Sequence, residues 1–258
     1  MCEKILTHFS LFSGIGGIDL ASHWAGFQTI GQCECADYPY QVLEKNFPNV
    51  PKWRDIHDVT AESFRKKTGI ERPTIISGGF PCQPHSLAGK RLGADDERDL
   101  WGELARCIRE IRPKWFLGEN VRGLRSTDNG RFFGRILQQL DSMGYDVGWC
   151  SISAAWVGAV HRRERIFIIA HAHSERLEMS LEKQGSIAEI FKTRAASAFS
   201  GFNAEYWNDE HGSSIELRNC NGVSDWMDRL KCLGNAVVPQ QVYPILEAIA
   251  SIENSNSF

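Results

Sequence analysis

Long apolar runs are missing from this 258-residue chain. None approaches the roughly 20 residues that a bilayer-spanning helix needs, and the opening Met-Cys-Glu-Lys does not read as a secretion signal. Cys-x-x-Cys pairs are also absent, because the eight cysteines are scattered at positions 2, 33, 35, 82, 107, 150, 220 and 232. That spacing argues against zinc, and His171-x-His173 brings no further ligands, so no metal is expected. There is no lysine-bearing phosphate loop and no Gly-x-Gly-x-x-Gly turn, so neither a nucleotide triphosphate nor a dinucleotide is specifically indicated. Internal repeats are absent. So is an excess of positive charge: 29 Lys+Arg face 32 Asp+Glu, for a net −3. The chain therefore offers no general basic face for nucleic acid, and any phosphate contact has to use local cations.

What is present is the composition of a compact cytoplasmic enzyme, expected to be a monomer, with 42% hydrophobic and 24% charged residues. Strand patterns near 7–12, 28–33, 50–54, 74–78, 115–119, 146–153 and 165–170 alternate with helical patterns near 16–25, 37–47, 60–68, 98–111 and 129–143. Regular alternation of this kind predicts an α/β domain: a parallel sheet with helices on both faces. A final helix over 238–251 is expected to return beside the first.

Residues 77–86, Ser-Gly-Gly-Phe-Pro-Cys-Gln-Pro-His-Ser, carry the strongest functional signal. They place Cys82 directly after the rigid Pro81 and beyond the apolar pair Ile75-Ile76. Ligands bind at the carboxyl ends of parallel strands, which is where a thiol nucleophile is useful. An isolated Pro-Cys more often marks a buried, inert cysteine, so the neighbouring motifs decide. Leu11-Phe12-Ser13-Gly14-Ile15-Gly16-Gly17 reads as strand, glycine turn and helix start. Glu34 ends the next apolar run, where an acid suits a ribose with free hydroxyls, and Asp55 follows a third short run within reach of a base amine. Gly118-Glu119-Asn120-Val121 ends a strand on the rim expected for Cys82. In His161-Arg162-Arg163-Glu164-Arg165 the alternation points Arg163 and Arg165 the same way. Leu233-Gly234-Asn235-Ala236 opens the last helix.

In this order and at these spacings the segments resemble the DNA cytosine-C5 methyltransferases, over most of 5–171 and 230–250. The resemblance implies a Rossmann-like S-adenosylmethionine-dependent methyltransferase domain with a small inserted target-recognition region. It divides the chain into a catalytic and cofactor-binding domain at 1–171, a target-recognition region at 172–230, and a C-terminal helix at 231–258 that returns to the first domain. It further implies that Phe12, Gly14, Gly17, Glu34, Asp55, Pro81, Leu100, Asn235 and Ala236 form the S-adenosylmethionine site, with S-adenosylhomocysteine as product. Cys82 is then the nucleophile, and Glu119, Arg163 and Arg165 serve the target cytosine in duplex DNA. A restriction endonuclease is a functional partner that the resemblance suggests. His161 stands where the family motif usually begins with glutamine.

Residues 172–230 are polar and acidic, with 6 Lys+Arg against 10 Asp+Glu, so positive charge is concentrated elsewhere: Lys90, Arg91 and Arg98, Arg122 and Arg125, and the 162–165 group. Two other readings stay open on sequence. One is an RNA cytosine-C5 methyltransferase, whose Cys-Phe-Thr signature is absent here. The other is a non-catalytic cofactor- or DNA-binding protein, which the intact Cys82, Glu119, Arg163 and Arg165 count against.

Overall fold

The structure, a computed structural model, describes residues 5–81, 100–173 and 236–255. Its strands are β1 (Leu6–Leu11), β2 (Phe27–Cys33), β3 (Lys52–Trp53), β4 (Ile75–Gly78), β5 (Trp115–Val121), β6 (Tyr145–Ser153) and β7 (Glu164–Ala172). The helices are α1 (Gly17–Trp24), α2 (Asp37–Asn46), α3 (Ala61–Thr68), α4 (Leu100–Ile111), α5 (Arg131–Ser142) and α6 (Pro239–Ser255). The strands form one sheet in the order β3-β2-β1-β4-β5-β7-β6.

Helices cover both faces because both faces of the central strands are apolar. On one side α4 buries Trp101, Leu104, Cys107, Ile108 and Ile111, a spacing that keeps them on one helical stripe. Phe64 of α3 and Phe133, Ile136 and Leu140 of α5 complete that layer against Phe9, Ile76, Phe116, Ile166 and Ile168. On the other side Ile18 and Ala21 of α1 pack with Val242, Ile245, Leu246 and Ile249 of α6 over Ile75, Leu117, Phe167 and Ile169. The return of the last helix beside the first is thus as expected, and Trp24 meets Tyr243 edge-on at 6.2 Å.

The expectation of a fully parallel sheet needs one correction. β3, β2, β1, β4 and β5 pair in parallel, but β7 is antiparallel to both β5 and β6. The cause is the connection. Residues 154–163 carry only one short 3-10 turn, Ala154–Val157, which suffices to reverse the chain but not to cross back over the sheet. The reversal carries the start of β7, not its end, to the carboxyl rim of the parallel strands.

The far end of α6 is tied to β5. The buried Glu253 carboxylate accepts from the indole N–H of Trp115 at 3.0 Å and from Lys114 Nζ at 3.1 Å. Lys114 is partly in water, so most of the benefit lies at the indole. Glu253→Ala leaves that buried N–H short of its acceptor and is expected to lower unfolding stability on the order of 1–3 kcal/mol. Urea denaturation reads this directly. An unchanged midpoint would mean that the apolar layer alone holds α6.

Candidate active site

The glycine turn after β1 is shaped by positive φ at Phe12 (53°), Gly14 (56°) and Gly16 (88°). Phe12 adopts the left-handed region at some steric cost, which points to a constraint on the turn. A Cβ placed on Gly14 would meet nothing within 4 Å, so the turn borders open space there. At Gly17 a Cβ would lie 2.9 Å from the carbonyl oxygen of Val237, so only glycine lets α1 begin this close to the segment entering α6. That contact brings Ala236, half-buried, to the turn's neighbourhood. Asn235 lies outside the described residues.

Glu34 follows β2, and its carboxylate holds the turn. Oε2 accepts from Gly14 N–H at 2.8 Å and Oε1 from Ala36 N–H at 2.9 Å. Each oxygen keeps a further lone pair for a ligand hydroxyl. Asp55, beyond β3, is exposed and bonds to His57 through N–H (2.9 Å) and Nδ1 (2.6 Å), which holds its carboxyl below the usual range. Leu100 opens α4 and packs partly against the core. The structure therefore brings Phe12, Gly14, Gly17, Glu34, Asp55 and Ala236 to the carboxyl side of β1–β3 and its covering segment. Open space beside Gly14 with a carboxylate at its edge fits an adenosine-bearing cofactor.

The second half of the site lies at the ends of β4 and β5. Glu119 stands opposite Phe167 in the β5–β7 register, and Val121 opposite Arg165. Side chains alternate along a strand, so Glu119 and Arg165 are diagonal neighbours on one face. Glu119 Oε1 and Arg165 Nε are 2.8 Å apart. They meet as an ion pair without hydrogen-bond alignment, since neither atom has an aligned partner among the described residues. Arg163 Nε and Nη2 are also buried with no partner among the described residues. Burial pushes the Glu119 carboxyl above the ordinary carboxylate range, and Arg165 and Arg163 pull it partly back. Burial and the charge of Arg165 lower the pKa of Arg163.

A Cβ on Gly79 would lie 3.2 Å from Glu119 Oε2, so the backbone after β4 runs directly over this carboxylate. That backbone is pinned: Asn120 Nδ2 donates to the carbonyl of Phe80 at 2.9 Å, while Asn120 Oδ1 accepts from Val121 N–H at 2.8 Å. Phe80 is buried against Trp101, with ring centroids 5.1 Å apart, and Pro81 is exposed at the rim. Cys82, the expected nucleophile, lies outside the described residues, as do Lys90, Arg91 and Arg98. Of the other local cations, Arg122 pairs with Glu164 at 3.2 Å and Arg125 stacks over Trp149 at 4.6 Å. Both arginines, with Arg162 and His161, are exposed.

Comparison with known proteins fits this geometry. The family description "C-5 cytosine-specific DNA methylase" matches residues 6–221. The chain belongs to this family. Among curated relatives it is 40% identical over 162 residues to the Type II methyltransferase M.PspPI of Psychrobacter, covering 62% of this chain and 38% of that one. Against the Type II methyltransferase M.NgoBI of Neisseria gonorrhoeae the identity is 38% over 160 residues, covering 62% and 48%. The chain spans less than half the length of these relatives. A solved structure titled a putative DNA modification methyltransferase from an E. coli prophage superposes with TM-score 0.57 at 28% identity, over 67% of this chain and 48% of that chain. The Entamoeba histolytica methyltransferase EhMeth superposes with TM-score 0.61 over 97% of this chain and 99% of its own, at 14% identity, which speaks to fold alone. The fold is a Rossmann-like methyltransferase fold, as the sequence resemblance implies.

Three residues near the candidate site make contacts that motif reading did not assign. Asn120 was visible only as part of its motif. Gln241 had no signal beyond being polar in an apolar helix. Asp19 is the third. It sits fully buried in the first turn of α1, where Ser10 Oγ donates to Oδ2 at 3.0 Å and Gln32 Nε2 to Oδ1 at 2.9 Å. Polar residues inside the apolar runs of β1 and β2 were the available signal.

Burial pushes the Asp19 carboxyl up to about 6, against the bonds from Gln32 and Ser10 that favour its charge. The folded state thus holds this proton more tightly than the unfolded chain. Its stabilising contribution is full below about pH 4 and is lost as pH rises through about 6. Asp19→Asn removes the titration, so relative to wild type the variant gains on the order of 3 kcal/mol between pH 4 and pH 8. Urea unfolding at both pH values tests this. A wild-type-to-variant difference that does not change with pH refutes it.

Proposed function

We propose that this chain transfers a methyl group from S-adenosylmethionine to C5 of a flipped-out cytosine in duplex DNA, through a covalent adduct on Cys82. The observation that carries the reading is the buried Glu119 carboxylate. It is paired with Arg165, neighboured by Arg163, whose Nε and Nη2 have no partner among the described residues, and covered by the backbone at Gly79, three residues before Cys82.

Phe12, Gly14, Gly17, Glu34, Asp55, Pro81, Leu100, Asn235 and Ala236 hold the cofactor in this reading, with Glu34 accepting from its ribose hydroxyls. The bound cofactor supplies an electrophilic methyl group. The ring atoms of cytosine are unreachable inside a duplex, so the base leaves the stack. The Cys82 thiolate adds to C6 and forms the S–C bond. As the ring electrons move, Glu119 in its protonated form donates to N3, a state that its raised pKa favours. C5 becomes nucleophilic and takes the methyl group, with S-adenosylhomocysteine as the leaving product. A base then removes the C5 proton, its electron pair forms the C5–C6 double bond, Cys82 departs as thiolate, and the N3 proton returns to Glu119. Arg165 fixes the Glu119 carboxylate, and Arg163, whose Nε and Nη2 have no partner among the described residues, donates to the base carbonyl or a phosphate.

The acceptor is DNA in this reading because the matching family is described as a C-5 cytosine-specific DNA methylase. Residues 172–230 carry the choice of target sequence, with Arg176, Lys183, Lys192, Arg194, Arg218 and Arg229 as basic candidates and Asn203, Asn219 and Asn221 as base readers. A restriction endonuclease sharing that target is the functional partner that the Type II names of the relatives suggest.

Cys82→Ser is expected to abolish methyl transfer while leaving S-adenosylhomocysteine affinity unchanged, because a serine hydroxyl is far less ionised than a thiol near neutral pH. Duplex DNA with 5-fluorocytosine at the target traps the wild type covalently, since fluorine blocks proton loss from C5. Full activity in the variant, or no trapped adduct in the wild type, refutes the mechanism. Separately, exchanging 172–230 for the same region of a relative is expected to move methylation to that relative's target, read by bisulfite sequencing. Retention of the original target places recognition elsewhere.

A further inference from the structure

Arg163 presents a guanidinium whose Nε and Nη2 are buried without a partner among the described residues. Its main chain, by contrast, is held by hydrogen bonds. The Arg163 carbonyl accepts two N–H groups: Ala154 N–H at 3.0 Å, across the β6–β7 connection, and Gln241 Nε2 at 2.9 Å. The same Gln241 nitrogen donates to the carbonyl of Ile152 at 2.8 Å. One amide group from α6 thus bridges the last residues of β6 and the first residues before β7, at the point where the pair opens towards the rim.

Gln241 is fully buried. Its amide orientation follows from its partners, because the reverse orientation would set Oε1 against two carbonyl oxygens. A buried glutamine costs free energy unless it is hydrogen-bonded, and here the nitrogen alone satisfies two strands. Gln241 N–H donates to the Val238 carbonyl at 2.9 Å, and the adjoining Val237 carbonyl packs against Gly17 of the glycine turn. The helix start that abuts the cofactor side therefore also holds the main chain of the base-side arginine.

We infer that Gln241 is a positioning residue for the methyl-transfer reaction: its side-chain amide clamps the Arg163 carbonyl and so sets where the Arg163 and Arg165 guanidinium groups stand relative to Glu119. The inference rests on the methyltransferase reading above. Gln241 touches no reacting atom and acts through Arg163. Losing the clamp frees the segment just before β7, and a displacement of about 1 Å in a positioning group costs on the order of a hundredfold in rate.

The test compares Gln241→Met, which keeps chain length and removes both donors, with Val242→Ala, a cavity in the same helix turn that leaves the Arg163 carbonyl untouched. Four quantities are read: kcat on duplex DNA, the rate of 5-fluorocytosine adduct formation, the Kd for S-adenosylhomocysteine, and Tm. Gln241→Met is expected to lower kcat and the adduct rate by about tenfold to a hundredfold with the Kd within about twofold. Val242→Ala is expected to lower Tm and leave kcat within about twofold. A folded Gln241→Met with wild-type kcat overturns the inference, as does an equal loss of kcat in Val242→Ala at equal loss of Tm. If Gln241→Met does not fold, Gln241→Asn keeps the amide but withdraws it by one methylene, and the same ratio of kcat loss to Kd change decides. A wild type that forms no adduct at all fails the methyltransferase reading itself, which is a separate result.

Discussion

β7 runs against the six other strands, and that reversal puts two arginines beside Glu119. In an all-parallel sheet the start of β7 would lie at the opposite end from the carboxyl termini of β1, β4 and β5, on the order of 20 Å away for a strand of this length. Turned round, Arg163-Glu164-Arg165 begins where Glu119-Asn120-Val121 ends. The register completes the placement: with Val121 opposite Arg165, the face that carries Glu119 also carries Arg165. A slip of one residue would turn both cations to the other face, where α4 and α5 pack an apolar layer. That layer and the α1–α6 layer hold β7 from both sides, so fold energetics and site geometry are one constraint.

The electrostatics of the rim are unbalanced by design of that placement. Two guanidinium groups and one carboxylate share a poorly hydrated corner, and among the described residues one ion pair is made there. Desolvating a charge without a full set of partners is costly. The cost is carried by packing far from the corner: Phe167, Ile169 and Leu117 beneath it, and α6 above. A ligand that brings an acceptor to Arg163 and a proton acceptor to Glu119 relieves the imbalance, so the corner favours a partner of that polarity before any specific contact is counted. Cytosine has both features, a carbonyl oxygen and a ring nitrogen, on one edge.

Much of this was legible in the sequence. All seven strands and the first five helices fall within a few residues of the expected positions, because each is an apolar run or stripe bounded by glycine, proline or a capping residue. The rim placement of Phe12, Gly14, Gly17, Glu34 and Glu119 was legible because they lie at strand ends or just beyond them, where local pattern and rim position coincide. The direction of β7 was not, since direction depends on the connection's length and not on anything in the strand itself. Gln241 was illegible for a related reason. Its two acceptors, the carbonyls of Ile152 and Arg163, are some 80 residues away in sequence, and main-chain carbonyls leave no residue-type trace. Residues 122–128 carry no expected element in sequence, and Arg122–Gly130 forms 3-10 turns with left-handed Asp128 and Asn129.

The interior beneath α1 is unusually polar for the centre of a parallel sheet. His8 donates or accepts at Ser77 Oγ (2.7 Å) and Thr29 Oγ1 (3.2 Å), Thr7 and Thr74 exchange bonds at the sheet's opposite end, and Asp19 gathers Ser10 and Gln32. Burial drives the His8 imidazole down to about 3, so it is neutral and each ring nitrogen has one role. Apolar side chains of the same size would stabilise the sheet at least as well. What they would not do is mark register. The β1–β2 register shifts by one residue between His8 and Phe9, where β2 carries the extra residue Ile30. An apolar strand with a bulge can settle in neighbouring registers at little cost, whereas each polar pair here is satisfied in one register and orphaned in the next. The level at which β1 ends is thereby fixed, and with it the height of the Phe12–Gly17 turn against Glu34, Val237 and the backbone of Gly79. The polar seam under α1 thus sets the Phe12–Gly17 side of the rim in the way that the β5–β7 register sets the Glu119–Arg165 side, and α6 packs against both.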